Sequence, residues 1–134
     1  MSLEKKVLLL EDEQSVSRLV SRLLQRHGYR VFVACDGLEA VRIFVEKFNQ
    51  GIFFDCVILD LSPSYPGYDA TQVLMKMAEV DPKVKAIVAS GNSFDDVMVK
   101  FKEYGFCGKL EKPFSLEGLR QVIENLSKKN HKAP

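Results

Sequence analysis

Two hydrophobic periods alternate along the chain. Five short runs are apolar on successive residues: Lys6–Leu10 (KVLLL), Tyr29–Ala34 (YRVFVA), Asp55–Leu59 (DCVIL), Lys85–Ala89 (KAIVA) and, weakest, Phe106–Leu110 (FCGKL). Runs of this kind, lacking a polar residue at every second position, suit strands covered on both faces. Between them the apolar residues recur three and four apart, as on one face of a helix. Val16, Leu19, Val20, Leu23 and Leu24 mark the first such face, Val41, Phe44, Val45 and Phe48 the second, and Ala70, Val73, Leu74 and Met77 the third. Val97, Met98 and Phe101 mark a fourth, and Leu116, Leu119, Ile123 and Leu126 a fifth. Gly28 stands after the first helix, where a left-handed residue closes the last turn. Ser93 and Ser115 stand where N-caps belong, each followed by acids. Pro82 and Pro113 fall between elements, where a missing N–H costs little.

A strand–helix rhythm with a spacing of about 25 residues between strands fits parallel strands joined by crossover helices. It predicts an α/β fold: a parallel sheet with helices on both faces. The 134 residues support one domain over 1–134, with a core over about 5–126 and a polar tail at 127–134. No apolar run approaches the roughly 18 residues of a membrane span, and MSLEKKVLLLEDE lacks the form of a signal peptide. With 19 Lys+Arg against 18 Asp+Glu, no global attraction to nucleic acid or an anionic membrane is implied. Cys35, Cys56 and Cys107 are odd in number, widely spaced and form no CxxC, so they read as buried thiols of a cytoplasmic protein.

Ligands of an open α/β sheet collect beyond the carboxyl ends of its strands. There the chain offers Glu11, Asp12 and Glu13 after the first strand, Asp60 after the third, Ser90 and Gly91 after the fourth, and Lys112 and Pro113 after the fifth. If strands one and three are neighbours, Glu11, Asp12 and Asp60 converge, and like charges so placed repel and push a pKa upward. A divalent cation removes the conflict, and hard oxygen ligands favour Mg²⁺. An acidic triplet alone could simply complement a helix dipole. Asp60 has no such duty, because the residues after it, Leu61-Ser62-Pro63, are not helical in pattern.

The order VLLLEDE, DCVILDL, IVASG and KLEKPF resembles the receiver domain of two-component response regulators, the CheY-like variant of the flavodoxin-like fold. The resemblance runs from about Lys5 to Leu126. It implies a doubly wound five-stranded parallel sheet in the order 2-1-3-4-5, flanked by five helices. It implies that Asp60 accepts a phosphoryl group from a phosphohistidine on a histidine kinase or phosphotransfer protein. Asp12 matches a direct Mg²⁺ ligand, Glu11 an acid reaching the metal through water, and the Ser62 carbonyl a third protein ligand. Ser90 matches the hydroxyl that bonds the phosphoryl group, and Lys112 the ammonium that pairs with it. The protein is then a regulatory phosphoacceptor that assists its own phosphorylation and dephosphorylation, not an enzyme in the usual sense. Its signal leaves through the face of helix four, strand five and helix five, toward a partner or output domain, with homodimerisation open.

Departures from the family pattern qualify this. Glu11 replaces a more usual aspartate. Pro66-Gly67 fall six and seven residues after Asp60, two later than in the family, so two residues are inserted beside the metal site. Lys109 stands where the family places a Tyr or Phe that turns inward on activation, and is expected to offer its charge to a partner. Phe106 is expected on the opposite face of that strand. Gly91 stands in place of an alanine. The competing classes fit less well. An aspartate-nucleophile phosphatase needs an acid where Ser62 stands, and a flavodoxin-type nucleotide binder needs a phosphate cradle where Glu11–Glu13 stand. A receiver-like interaction domain that is not phosphorylated is the remaining alternative.

Overall fold

The computed structural model describes residues 4–61 and 67–131, with side chains as far as 125. Its elements are β1 (Lys5–Leu10), α1 (Gln14–Arg26), β2 (Tyr29–Ala34), α2 (Gly37–Asn49), β3 (Cys56–Asp60), α3 (Ala70–Val80), β4 (Ala86–Ser90), α4 (Asp96–Val99), β5 (Gly108–Glu111) and α5 (Leu116–His131). The strands form one sheet in the order β2-β1-β3-β4-β5, every neighbouring pair parallel. This is the expected topology.

Side chains alternate across a pleated strand, so each apolar run feeds two cores at once. Leu8, Leu10, Val57, Leu59 and Val88 face one layer, where Phe44, Val73, Leu74, Met77 and Met98 meet them from α2, α3 and α4. Val7, Leu9, Ile58 and Ile87 face the other, against Val20 and Leu24 of α1 and Leu119 and Ile123 of α5. β3 and β4 are buried at every position, which is why neither shows polar alternation.

The punctuation holds in part. Gly28 takes φ 87 and its N–H donates to the Gln25 carbonyl. Ser115 Oγ accepts from the Gly118 N–H at 2.9 Å. Ser93 does not cap α4; Asp95 does, its side chain accepting from the Val97 N–H. α4 has only four residues, so Phe101 lies in the turns beyond it, where Glu103 and Gly105 donate to the carbonyls of Lys100 and Lys102. Three apolar residues at helical spacing need little more than one turn to reach the core.

β5 begins at Gly108, later than its apolar run, and this corrects the placement of Phe106. Strand alternation does not reach back to it, and it is buried in the same layer as Met98 and Phe101. The thiols are also corrected in part. Cys56 is buried and Cys107 half-buried, but Cys35 is exposed, because it follows β2 at the turn into α2. The Leu126 side chain lies outside the described residues.

One backbone approach has a testable consequence. Gly37 opens α2, and a Cβ there would collide with the Tyr68 carbonyl oxygen of the segment leading into α3. Gly37→Ala is therefore expected to destabilise the fold by about 1–3 kcal/mol, the usual range for overpacking. A urea titration reads this as a lower midpoint with unchanged slope.

Candidate functional site

Four strand ends meet at the carboxyl edge of the sheet, and backbone hydrogen bonds continue there for one residue past β1, β3 and β5. The Glu11 N–H donates to the Ala34 carbonyl at 3.0 Å, the Leu61 N–H to Ala89 at 2.8 Å, and the Lys112 N–H to Ser90 at 2.9 Å. Asp60 and Ser90 are the last residues of β3 and β4 rather than the first beyond them. Their backbones are thus fixed by the sheet while their side chains reach its rim.

The structure brings the predicted acids together. One carboxylate oxygen from each of Glu11, Asp12 and Asp60 lies within 4.8 Å of the others. Glu11 and Asp60 are 2% and 4% exposed, whereas Asp12 opens to solvent. Lys112 answers them from just beyond β5: its Nζ lies 2.6 Å from Glu11 Oε1 and 3.1 Å from Asp60 Oδ2. Glu11 Oε2 also accepts from the Glu13 N–H at 3.2 Å. Lys112 therefore spans the two buried acids, with a cis peptide to Pro113 directly after it.

The electrostatics follow from burial and crowding. Burial raises the Glu11 carboxyl above its ordinary range, and Asp60 pushes the same way, while Lys112 and the Glu13 N–H only partly offset them. Burial alone would lower Lys112; its contacts with Glu11 and Asp60 outweigh this and raise it, so it is held as an ammonium. Three acids around one fixed cation leave an excess of negative charge. A hard, oxygen-seeking cation of the Mg²⁺ kind fits such a donor set.

The Ser90 hydroxyl is barely exposed and accepts from the Asn92 N–H at 3.0 Å, which leaves its own O–H available as a donor. Asn92, which the sequence reading passed over, fastens the loop further by accepting from the Phe94 N–H through Oδ1. Gly91 has a negative φ and open space around it, so no contact requires glycine there. Ser62 and the inserted residues up to Pro66 lie outside the described residues. The next residue, Gly67, takes φ 81.

Lys109 is exposed, and its side chain also reaches back to the protein. Its Nζ donates to the Met98 carbonyl at 3.3 Å and lies 5.4 Å from the centre of the Phe101 ring. On β5, Leu110 faces α5, so Lys109 is turned toward α4.

Comparison with known proteins agrees with this edge. The family model for the response regulator receiver domain matches residues 7–124. The chain belongs to that family. It is 25% identical over 122 residues to sporulation initiation phosphotransferase F of Bacillus subtilis, covering 91% of this chain and 93% of that protein. It is 33% identical over 123 residues to the peroxide stress-activated histidine kinase mak1 of Schizosaccharomyces pombe, covering 90% of this chain but only 7% of that kinase. A receiver domain from Clostridium thermocellum superposes with a TM-score of 0.81 at 27% identity, covering 94% of this chain and 96% of the other. This receiver domain is accordingly a regulatory phosphoacceptor module of two-component phosphorelays, a class that works with histidine kinases or phosphotransfer proteins and binds Mg²⁺ at an acidic site. Among the described residues no helix is long and apolar enough to cross a membrane.

Proposed function

We propose that Asp60 is the phosphoacceptor, because it is the carboxylate held at the end of a fully buried strand and in contact with Lys112. Its oxygen attacks the phosphorus of a phosphohistidine on a partner kinase or phosphotransfer protein. An O–P bond forms, the P–N bond breaks, and the imidazole leaves with the electron pair and is protonated from solvent. Such a transfer needs positioning and charge neutralisation more than covalent help. Lys112 is free to shift from the carboxylates to a phosphoryl oxygen, and the Ser90 O–H to donate to another. Glu11, Asp12, Asp60 and the Ser62 carbonyl would hold Mg²⁺, which when bound supplies the remaining positive charge. The same residues, with water in place of histidine, would assist dephosphorylation. The phosphoryl group adds nearly two negative charges at the head of the β4–α4 loop. The signal would reach a partner or output domain through the α4–β5–α5 face, in the cytoplasm, as a monomer or a homodimer.

The test is intact mass after incubation with acetyl phosphate and Mg²⁺. One added phosphoryl group is expected, and none when the metal is chelated. Mg²⁺ alone is expected to raise the unfolding free energy by about 2.7 kcal/mol at a hundred times its dissociation constant, since it binds only the folded edge. No uptake under any metal condition would favour the reading of a receiver-like interaction domain that is not phosphorylated.

A further inference from the structure

Charge is divided between the two ends of the strands. Glu11, Asp12 and Asp60 gather at the carboxyl edge of the sheet, whereas the amino edge is rich in cations. Lys5 and Lys6 begin β1, Arg30 lies at the start of β2, Lys47 in the last turn of α2, and Lys83 and Lys85 just before β4. A net charge of +1 hides this division.

At the amino edge, beside the end of α2 and the starts of β3 and β4, lies an open groove of about 810 Å³. Its floor is apolar: Phe48 of α2, Phe53 and Phe54 of the following loop, and Pro82. Phe53 is 60% exposed, and its ring meets Phe48 edge-on with centroids 5.4 Å apart. The loop that carries it is fastened at both ends. The Ile52 N–H donates to the Lys47 carbonyl at 2.8 Å, and the Asp55 N–H to the Lys6 carbonyl at 2.8 Å. Phe54 continues the aromatic surface to Phe32, whose ring lies 4.8 Å from the Arg30 guanidinium and 5.4 Å from the Lys47 ammonium. A single exposed apolar residue is ordinary, but a contiguous apolar patch with a polar rim marks a binding surface.

The rim says which charge the groove accepts. Asp55 Oδ2 is engaged by the Lys6 N–H at 2.6 Å, and Asp81 Oδ1 by the Lys83 N–H at 3.0 Å. Lys83 and Lys85 also line the groove, and among the described residues neither ammonium has an ion pair or a hydrogen bond. With the acids held by backbone and the cations without carboxylates, the complement is a group that is apolar at its centre and negative at its flanks. Being open along one side, the groove suits a chain laid across it better than a small molecule that has to be enclosed.

We propose that this amino-edge groove docks a peptide segment of a partner protein in which a large apolar side chain, such as Phe, is flanked by Asp or Glu. The side chain packs on Phe48, Phe53 and Pro82, and the flanking carboxylates meet Lys83 and Lys85. An apolar anchor within a charged rim is the anatomy of a protein interface, and a fastened loop spares part of the ordering cost. Asp55 at the groove and Asp60 at the opposite edge are about 16 Å apart along the strand. A partner held here therefore leaves the carboxyl edge open, and the groove is independent of the role given to Asp60.

Amide chemical shifts of the full ¹⁵N-labelled chain, titrated with the peptide acetyl-DEFDE-amide, test this. Acetyl-DEADE-amide and acetyl-KKFKK-amide are the control peptides, and Phe53→Ser and Lys83→Glu the variants. Both residues are exposed, and unchanged shifts over α1 and α5 show that each variant is folded. Shifts are expected at 48, 53–55 and 83–85, and none at 11, 12, 60, 90 and 112. Each control peptide and each variant should bind about tenfold more weakly, the size of effect of one anchoring side chain or one close charge. Added salt should weaken binding to the parent. No shift at the groove, equal binding of the three peptides, or shifts at the carboxyl edge instead would overturn the proposal. So would Phe53-dependent binding of phosphatidylserine vesicles or of a thymidine oligonucleotide in place of the peptide, since the occupant would then be a membrane or a nucleic acid.

Discussion

Replacing Asp60 by asparagine should abolish phosphoryl uptake and, in the absence of Mg²⁺, make the protein harder to unfold. The first effect is chemical: an amide oxygen in that place does not form a stable acyl phosphate. The second comes from charge. Asp60 is buried beside Glu11 and close to Asp12, and Lys112 pairs with both buried acids. Removing one of several crowded like charges relieves their repulsion, which stabilises the fold here on the order of 1 kcal/mol. The pH dependence carries a sign of its own. Glu11 is raised above its ordinary value of 4.5, by burial first and by Asp60 in addition. A carboxyl raised in the folded state contributes stability that is present below its unfolded pKa and lost as pH rises through the folded one. With Asp60 gone Glu11 loses less, so the advantage of Asp60→Asn over the parent should grow as pH rises through the carboxylate range. Urea unfolding of both proteins at several pH values reads this directly. A variant less stable than the parent at neutral pH without Mg²⁺ would contradict the electrostatic account.

Lys112→Met should act in the opposite direction. Lys112 pairs with two carboxylates that are almost wholly buried, and its removal takes that cation from both. Breaking a buried pair by deleting one partner costs about 3 kcal/mol, much more than an exposed ion pair is worth. Mg²⁺ should restore part of that loss, because a cation held by the same acids relieves the same repulsion. Phosphoryl uptake should be slowed in Lys112→Met even where Mg²⁺ keeps it folded. The two substitutions remove opposite charges from one cluster, so opposite shifts in stability are the signature of a net negative edge. Equal and parallel losses would point to packing instead.

The residues that carry the chemistry were easier to read than the elements that carry the signal. β2 matches its apolar run residue for residue, while β3 and β4 run one residue further than theirs. The reason is local: Asp60 and Ser90 are polar and look like the first residues past a strand, yet the Leu61 and Lys112 N–H groups extend the ladder around them. α4 and β5 were least legible. An edge strand of four residues with one buried position and a helix of four residues with one buried residue leave little periodic signal. The contact of Lys109 with the Met98 carbonyl left no trace either, because nothing in its sequence neighbours announces that this carbonyl lies within reach. Gly37 was passed over although Asp36 and Glu39 around it carry a capping pattern: Asp36 accepts from the Glu39 N–H, and Glu39 from the Cys35 N–H. Glu11, Asp12, Asp60, Ser90 and Lys112 were legible for a different reason. A polar residue at the end of an apolar run falls at the same edge in every parallel strand, whatever the exact strand length.

The central claim is that the phosphoryl group forms an acyl bond to Asp60. It is tested most directly by treating the phosphorylated protein with borohydride, which reduces an acyl phosphate to an alcohol, and locating the altered residue by peptide mass. The account predicts homoserine at position 60, appearing only after phosphorylation and only with Mg²⁺. Homoserine at position 12, hydroxynorvaline at position 11, or a phosphoryl group that survives borohydride on a serine would contradict it.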